Sequence, residues 1–224
     1  APPPGINRLE GRSPALRYPI HTDGPNCQPL TKGAAMETLL SILLGLGLAA
    51  ACGFRVFVPL LVMSIASRAG AGYLELGGGF AWIGSTAALV TFSIATALEI
   101  AGYYIPWVDN LLDAIATPTA IVAGMVVTAS AVTDVDPFLR WTLAILGGGG
   151  TAAAFQGITA TARSVSSFTT GGLGNPVIAT LEAGGSALLS VLAIVVPVVA
   201  MLIVVGLLYF GVKRLLFRRP ARAV

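Results

Sequence analysis

The stretch "METLLSILLGLGLAAACGFRVFVPLLVMSIA" (36–66) decides the fold. It is long enough and apolar enough to cross a bilayer, which takes about 20 residues. Arg55 stands near the middle of it. A charge at that depth costs roughly 2.5–3.5 kcal/mol on insertion scales. Pro59 follows four residues later and has no N–H to give the Arg55 carbonyl. One turn therefore carries a charge and a freed acceptor, and in hydrocarbon both need partners inside the protein. The run is expected to be tilted or broken at Pro59.

The rest of the chain agrees with a membrane protein. Of its 224 residues 55 % are hydrophobic and only 10 % charged, against about 25 % charged in a soluble domain. Mean hydropathy is +0.85. Five apolar runs read as spans: 36–66, 81–105, 114–133, 138–162 and 187–212. Tyr73, Trp82, Tyr103, Tyr104, Trp107, Trp141 and Tyr209 fall near their ends, as interfacial aromatics do. The expected fold is an all-α membrane protein of about five transmembrane helices plus a re-entrant or discontinuous half-helix.

Three regions are expected: residues 1–35, a membrane domain over 36–212, and a basic tail over 213–224. Residues 1–35 hold seven of the fourteen prolines and the one histidine, His21, with no apolar periodicity. They read as a disordered leader or as sequence upstream of the native start, and lack the apolar core of a signal peptide. The tail carries Lys213, Arg214, Arg218, Arg219 and Arg222. The positive-inside rule puts it in the cytoplasm, with Met36 outside and Arg68 and Arg140 in cytoplasmic loops. Arg163 then falls at an outer end, against the rule. The expected location is a bacterial inner membrane. "LAAAC" (48–52) faintly resembles a lipoprotein box, but the apolar run continues past Cys52.

Residues 163–186 are more than a loop. Asn175 before Pro176 reads as a helix start, with Asn as the cap and Pro at the first position. A short half-helix over 176–183 is expected. Two phrases recur in order: "AAACGFRV" (49–56) with "TAAAFQGI" (151–158), and "IATALEIAG" (94–102) with "IATLEAGG" (178–185). They align Phe54 with Phe155 and Glu99 with Glu182. Three spans between copies would invert one half against the other, a transporter trait, although Ala-rich and Gly-rich segments also match by chance.

Arg55, Glu99 and Glu182 are the first candidate site. They could line a path for a solute or ion, or form a structural ion pair such as Arg55 with Glu99; intramembrane charges favour the former. Thr169, Thr170, Gly171, Gly172, Gly174, Asn175 and Pro176 are the second. Backbone N–H groups there could cradle an anion, or the glycines could simply make a tight turn. Asp109 and Asp113, at i and i+4, are weak Mg²⁺ ligands without further carboxylates beside them. Capping explains Asp109, at a short interfacial helix, and Asp136, which precedes Pro137; Asp134 and Asp136 should lie on the opposite side of the membrane. Gly147–Gly150 reads as a packing seam. No nucleophile with a base is visible, and no cofactor is implied. Nucleic-acid binding is discounted, since no aromatics interleave with the basic residues. Cys27 and Cys52 make no metal spacing.

Together "GLGLAAACGFRVFVPLL" (45–61), "EIAGYYIPWVDNLLDAIATP" (99–118) and "TTGGLGNPVIATLE" (169–182) resemble the bacterial membrane proteins grouped as domain of unknown function 4126. The resemblance covers most of 40–205 and implies a multi-pass membrane protein with no established activity. In that family's pattern a basic residue often follows the glutamate, and Arg-Pro often follows the Thr-Pro. Here those places hold Tyr103 or Tyr104 and Thr119-Ala120. The leading expectation is a small transporter or channel-like protein among membrane lipids, a homo-oligomer moving an unidentified small solute or ion. A non-catalytic scaffold or assembly factor is the alternative, and a Mg²⁺-dependent lipid-modifying enzyme is the third.

Overall fold

The computed structural model describes residues 32–70, 74–77, 79–133 and 135–216. Among them every regular element is helical: α1 Lys32–Cys52, α2 Phe57–Arg68, a short 3₁₀ turn Ala81–Gly84, α3 Thr86–Gly102, α4 Pro106–Ala131, α5 Pro137–Thr142, α6 Gly150–Thr170, α7 Asn175–Val195 and α8 Pro197–Leu216. Four helical segments are long and apolar enough to cross a membrane: Gly33–Cys52, Ala114–Ala131, Asn175–Val195 and Pro197–Arg214. Large apolar side chains such as Leu98, Leu146, Leu181, Leu202 and Phe210 point outward. This is the surface lipid requires, and the protein is an all-α membrane protein.

Helix α1 is the hub, packed against α4, α6, α7 and α8. Its residues Leu48 to Cys52 are fully buried. Small residues let its neighbours come close. A Cβ added at Gly45 would stand 3.2 Å from the Thr128 Cα of α4, and one at Gly47 would stand 2.9 Å from Ala193 of α7. Two buried hydroxyls bond to its backbone: Thr128 to the Gly45 carbonyl (3.2 Å) and Ser186 to the Ala51 carbonyl (2.9 Å).

The first apolar run is indeed two helices, but the break precedes Pro59. It covers Gly53–Val56, between α1 and α2. Gly53 leaves room for α6: a Cβ there would lie 2.4 Å from the Phe155 Cβ and 2.7 Å from the Ala152 carbonyl oxygen. Pro59 falls in the first turn of α2, where a missing N–H costs nothing. Asp136 caps α5, accepting from the Phe138 N–H at 2.8 Å with Pro137 at the first position. Gly147–Gly149 form the expected packing seam, whereas a Cβ at Gly150 would meet nothing within 4 Å. The Gly148 Cα lies so near α4 that a Cβ would meet the Gly124 carbonyl oxygen at 2.5 Å, within a widened π-type stretch, Leu143–Gly149.

Two expected boundaries are corrected. The half-helix over 176–183 is only the start of the 21-residue helix α7. The helix runs on through Gly184-Gly185, and Ser186 is fully buried against α1. The expected span 187–212 is likewise divided: α7 ends at Val195 and α8 begins at Pro197. Proline disfavours helical geometry in the residue before it, and Val196 is extended (φ −139°, ψ 74°). The run 138–162 lies within one helical stretch, Pro137–Thr170. Among the described residues, then, four helices are both long and apolar enough to span, with two shorter apolar ones, Phe57–Arg68 and Thr86–Gly102, and the 21-residue α6 beside them.

The packing makes a prediction. Gly53→Ala forces a methyl into α6 and should cost about 1–3 kcal/mol, as overpacking does. Gly157→Ala, where a Cβ meets nothing within 4 Å, should change stability by less than about 0.5 kcal/mol. Unfolding in detergent compares them; equal losses would contradict the α1–α6 contact.

Candidate functional site

Backbone capping builds the first half of the site. The break at 53–56 leaves the start of α2 with N–H groups that have no helical acceptor. Glu99, on α3, supplies one: Val56 N–H donates to its Oε1 (2.8 Å) and Phe57 N–H to its Oε2 (3.1 Å). A carboxylate at a helix N-terminus also faces the positive end of the helix dipole. So a glutamate from another helix holds the break in place.

Arg55 projects from that break and is 1 % exposed. Its Nη2 donates to the Ala179 carbonyl of α7 (2.9 Å) and lies 3.4 Å from Glu182 Oε2. Glu182, one turn further along α7, is 5 % exposed. Its main partner is Arg163 of α6, which donates from Nε to Oε1 (3.2 Å) and from Nη2 to Oε2. This two-pronged pairing is the strong form of an arginine–carboxylate contact. Both guanidiniums also lie over the ring of Tyr103, with Cζ atoms 3.8 Å (Arg55) and 4.1 Å (Arg163) from its centre. Such cation–π contacts add to the pairing. Next to it, the Tyr104 hydroxyl bonds the Thr180 hydroxyl at 2.8 Å, tying the end of α3 to α7.

The three expected residues Arg55, Glu99 and Glu182 therefore do converge. Arg55 pairs with Glu182, and Glu99, the example partner in the ion-pair alternative, serves as a helix cap. Arg163 and Tyr103 complete the cluster, although the sequence places them at helix ends. Signals for both exist. Tyr103 lies at i+4 from Glu99, on one helix face. Gln156, Thr159, Arg163 and Ser166 form a buried polar stripe at helical spacing along α6.

The turn from Thr169 to Pro176 satisfies itself. Gly171 and Gly172 have φ of +63° and +88°, which glycine adopts freely. Gly174 N–H donates to the Thr170 hydroxyl (3.0 Å) and Asn175 N–H to the Gly172 carbonyl (3.0 Å). Asn175 does not cap its helix; its amide donates to the Ser167 hydroxyl of α6 (3.0 Å). The N–H groups of 174 and 175 are thus engaged within the turn, as a tight turn would have them. The side chains of Asp109 and Asp113, and Asp134 altogether, lie outside the described residues, as do residues 1–31 and 217–224 with Arg218, Arg219 and Arg222. Among the described residues no group of three His, Cys, Asp or Glu side chains is placed to hold a metal.

The family model of a domain of unknown function, DUF4126, matches residues 42–216. The chain belongs to the DUF4126 family. No curated protein and no solved structure matches it. All five cluster residues of this DUF4126 chain fall inside the matched range.

The network sets an order of costs. Glu182→Ala leaves two buried guanidiniums facing each other and should destabilise by about 3–5 kcal/mol. Glu99→Ala removes a helix cap and should cost about 0.5–2 kcal/mol. Thermal unfolding in detergent reads both; a larger loss for Glu99→Ala would contradict the assignment of Glu182 as the shared partner.

Proposed function

We propose that this DUF4126 protein is a small transporter or channel-like protein whose path passes the Arg55–Glu99–Glu182 cluster. One observation carries the reading. Arg55 sits on a helix break, and its Nε and Nη1 are buried with no hydrogen-bond partner among the described residues. Donors left that way are costly, so a passing solute, ion or water is the acceptor they suit. Discontinuous helices presenting charged groups inside the bilayer recur in transporters. The inverted-repeat reading gains support too: the aligned Phe54 and Phe155 rings stand edge to face at 5.2 Å, and the aligned Glu99 and Glu182 enter one cluster. We place the protein in a bacterial inner membrane with its C-terminus cytoplasmic, as a homo-oligomer.

A scaffold is the second reading, because two arginines face two glutamates in the cluster and the charges balance. Proteoliposomes separate the two. Solid-supported membrane recordings under concentration jumps of protons, chloride, phosphate or acetate should give a current for at least one. Arg55→Gln should abolish it while the protein stays folded. A folded wild type that passes none of these, beside an Arg163→Met/Glu182→Leu double variant that assembles normally, would put the scaffold first.

A further inference from the structure

A second feature touches the cluster from the lipid side. A cavity of about 530 Å³ opens between α3 and α4 and over the start of α2. That size falls within the ordinary range for ligand sites, about 300–1,000 Å³. Its walls are almost wholly apolar, among them Ala95, Leu98, Val108, Leu112 and Ile115. Leu98 and Ile115 are also exposed on the outer surface, so the mouth faces the acyl chains of the bilayer.

Its polar groups are few. The Thr119 hydroxyl is turned back onto the Ile115 carbonyl (2.6 Å). Tyr103 presents a ring already covered by two guanidiniums. Glu99 also lines the cavity, and each of its oxygens accepts one backbone N–H. A carboxylate has roughly four lone-pair directions, so further acceptor capacity remains on each oxygen. It is acceptor capacity alone, which selects a ligand group that donates. Arg55 and Arg163 already balance Glu99 and Glu182 in charge. A neutral donor adds no net charge to this buried site, whereas an ammonium or a second carboxylate would.

We infer that the α3–α4 cavity is a binding site for a single-chain amphiphile with a neutral hydroxyl head, its chain along the apolar walls and its hydroxyl donating to Glu99. The site is independent of transport: a scaffold and a transporter with the same cavity would bind the same ligand.

The test uses the full chain in detergent micelles, offered equal amounts of octadecanol, octadecyl methyl ether, stearic acid and octadecylamine. Bound ligand is counted by native mass spectrometry. The alcohol should be retained at least about tenfold over the ether and the acid, the weight of one hydrogen bond to a charged acceptor. Ala95→Phe blocks the cavity one turn from Glu99 without touching it and should erase the preference. Ile115→Phe, from the opposite wall, serves if the first variant does not fold. Equal retention of alcohol and ether would overturn the inference, as would a preference for the amine or a preference that survives both blocking variants.

Discussion

The helix break at Gly53–Val56 is the constraint on which the rest depends. An apolar chain crossing lipid has no reason to interrupt its hydrogen bonding unless the protein supplies replacements. Here the partners come from two helices, α3 and α7. Glu99 on α3 takes the N–H groups of Val56 and Phe57, the Ala179 carbonyl on α7 takes the Arg55 guanidinium, and Glu182 offsets its charge. Remove the break and Arg55 and Glu99 lose these partners, leaving Glu182 with Arg163 alone. Keep it, and α2, α3, α6 and α7 are drawn to one point.

Arg163 makes that point more than a lone ion pair. Taking a guanidinium from water is expensive, and one carboxylate shared between two guanidiniums does not repay both. Glu99 and the Tyr103 ring supply the difference: a second negative charge close by, and an aromatic surface over which both guanidiniums lie. The result balances in charge yet is unevenly satisfied. Arg163 is held by two donated bonds to Glu182, while Arg55 keeps two buried nitrogens, Nε and Nη1, without a partner among the described residues. The transport reading rests on this asymmetry, which singles out Arg55.

Much of this was legible in the residues. A charge inside an apolar run announces itself, so Arg55, Glu99 and Glu182 are visible before any coordinates. The all-α membrane class follows from composition and from runs long enough to span. Arg163 is harder, because it sits where an apolar run gives way to "SVSSFTT", and a basic residue there reads as interfacial. Tyr103 is hidden likewise among aromatics that mark membrane edges. The half-helix failed for a different reason. Gly184-Gly185 weakens a helix in water, but the next residue, Ser186, is buried and bonded to the Ala51 carbonyl of α1, which no local propensity records. The break at 53–56 was legible in kind, through Pro59, and displaced in position, because Gly53 answers to Phe155 on a helix a hundred residues away.

The most direct test of the central claim is carbodiimide labelling of the embedded carboxyls in native membranes across pH, read by peptide mass spectrometry. The reagent attacks protonated carboxyls that it can reach from apolar surroundings. If a path runs through the cluster, Glu99 or Glu182 labels in the wild type, and the labelling titrates with pH. If neither labels until Arg55→Gln removes the guanidinium, both carboxylates are locked in structural pairs, and the transport account is contradicted.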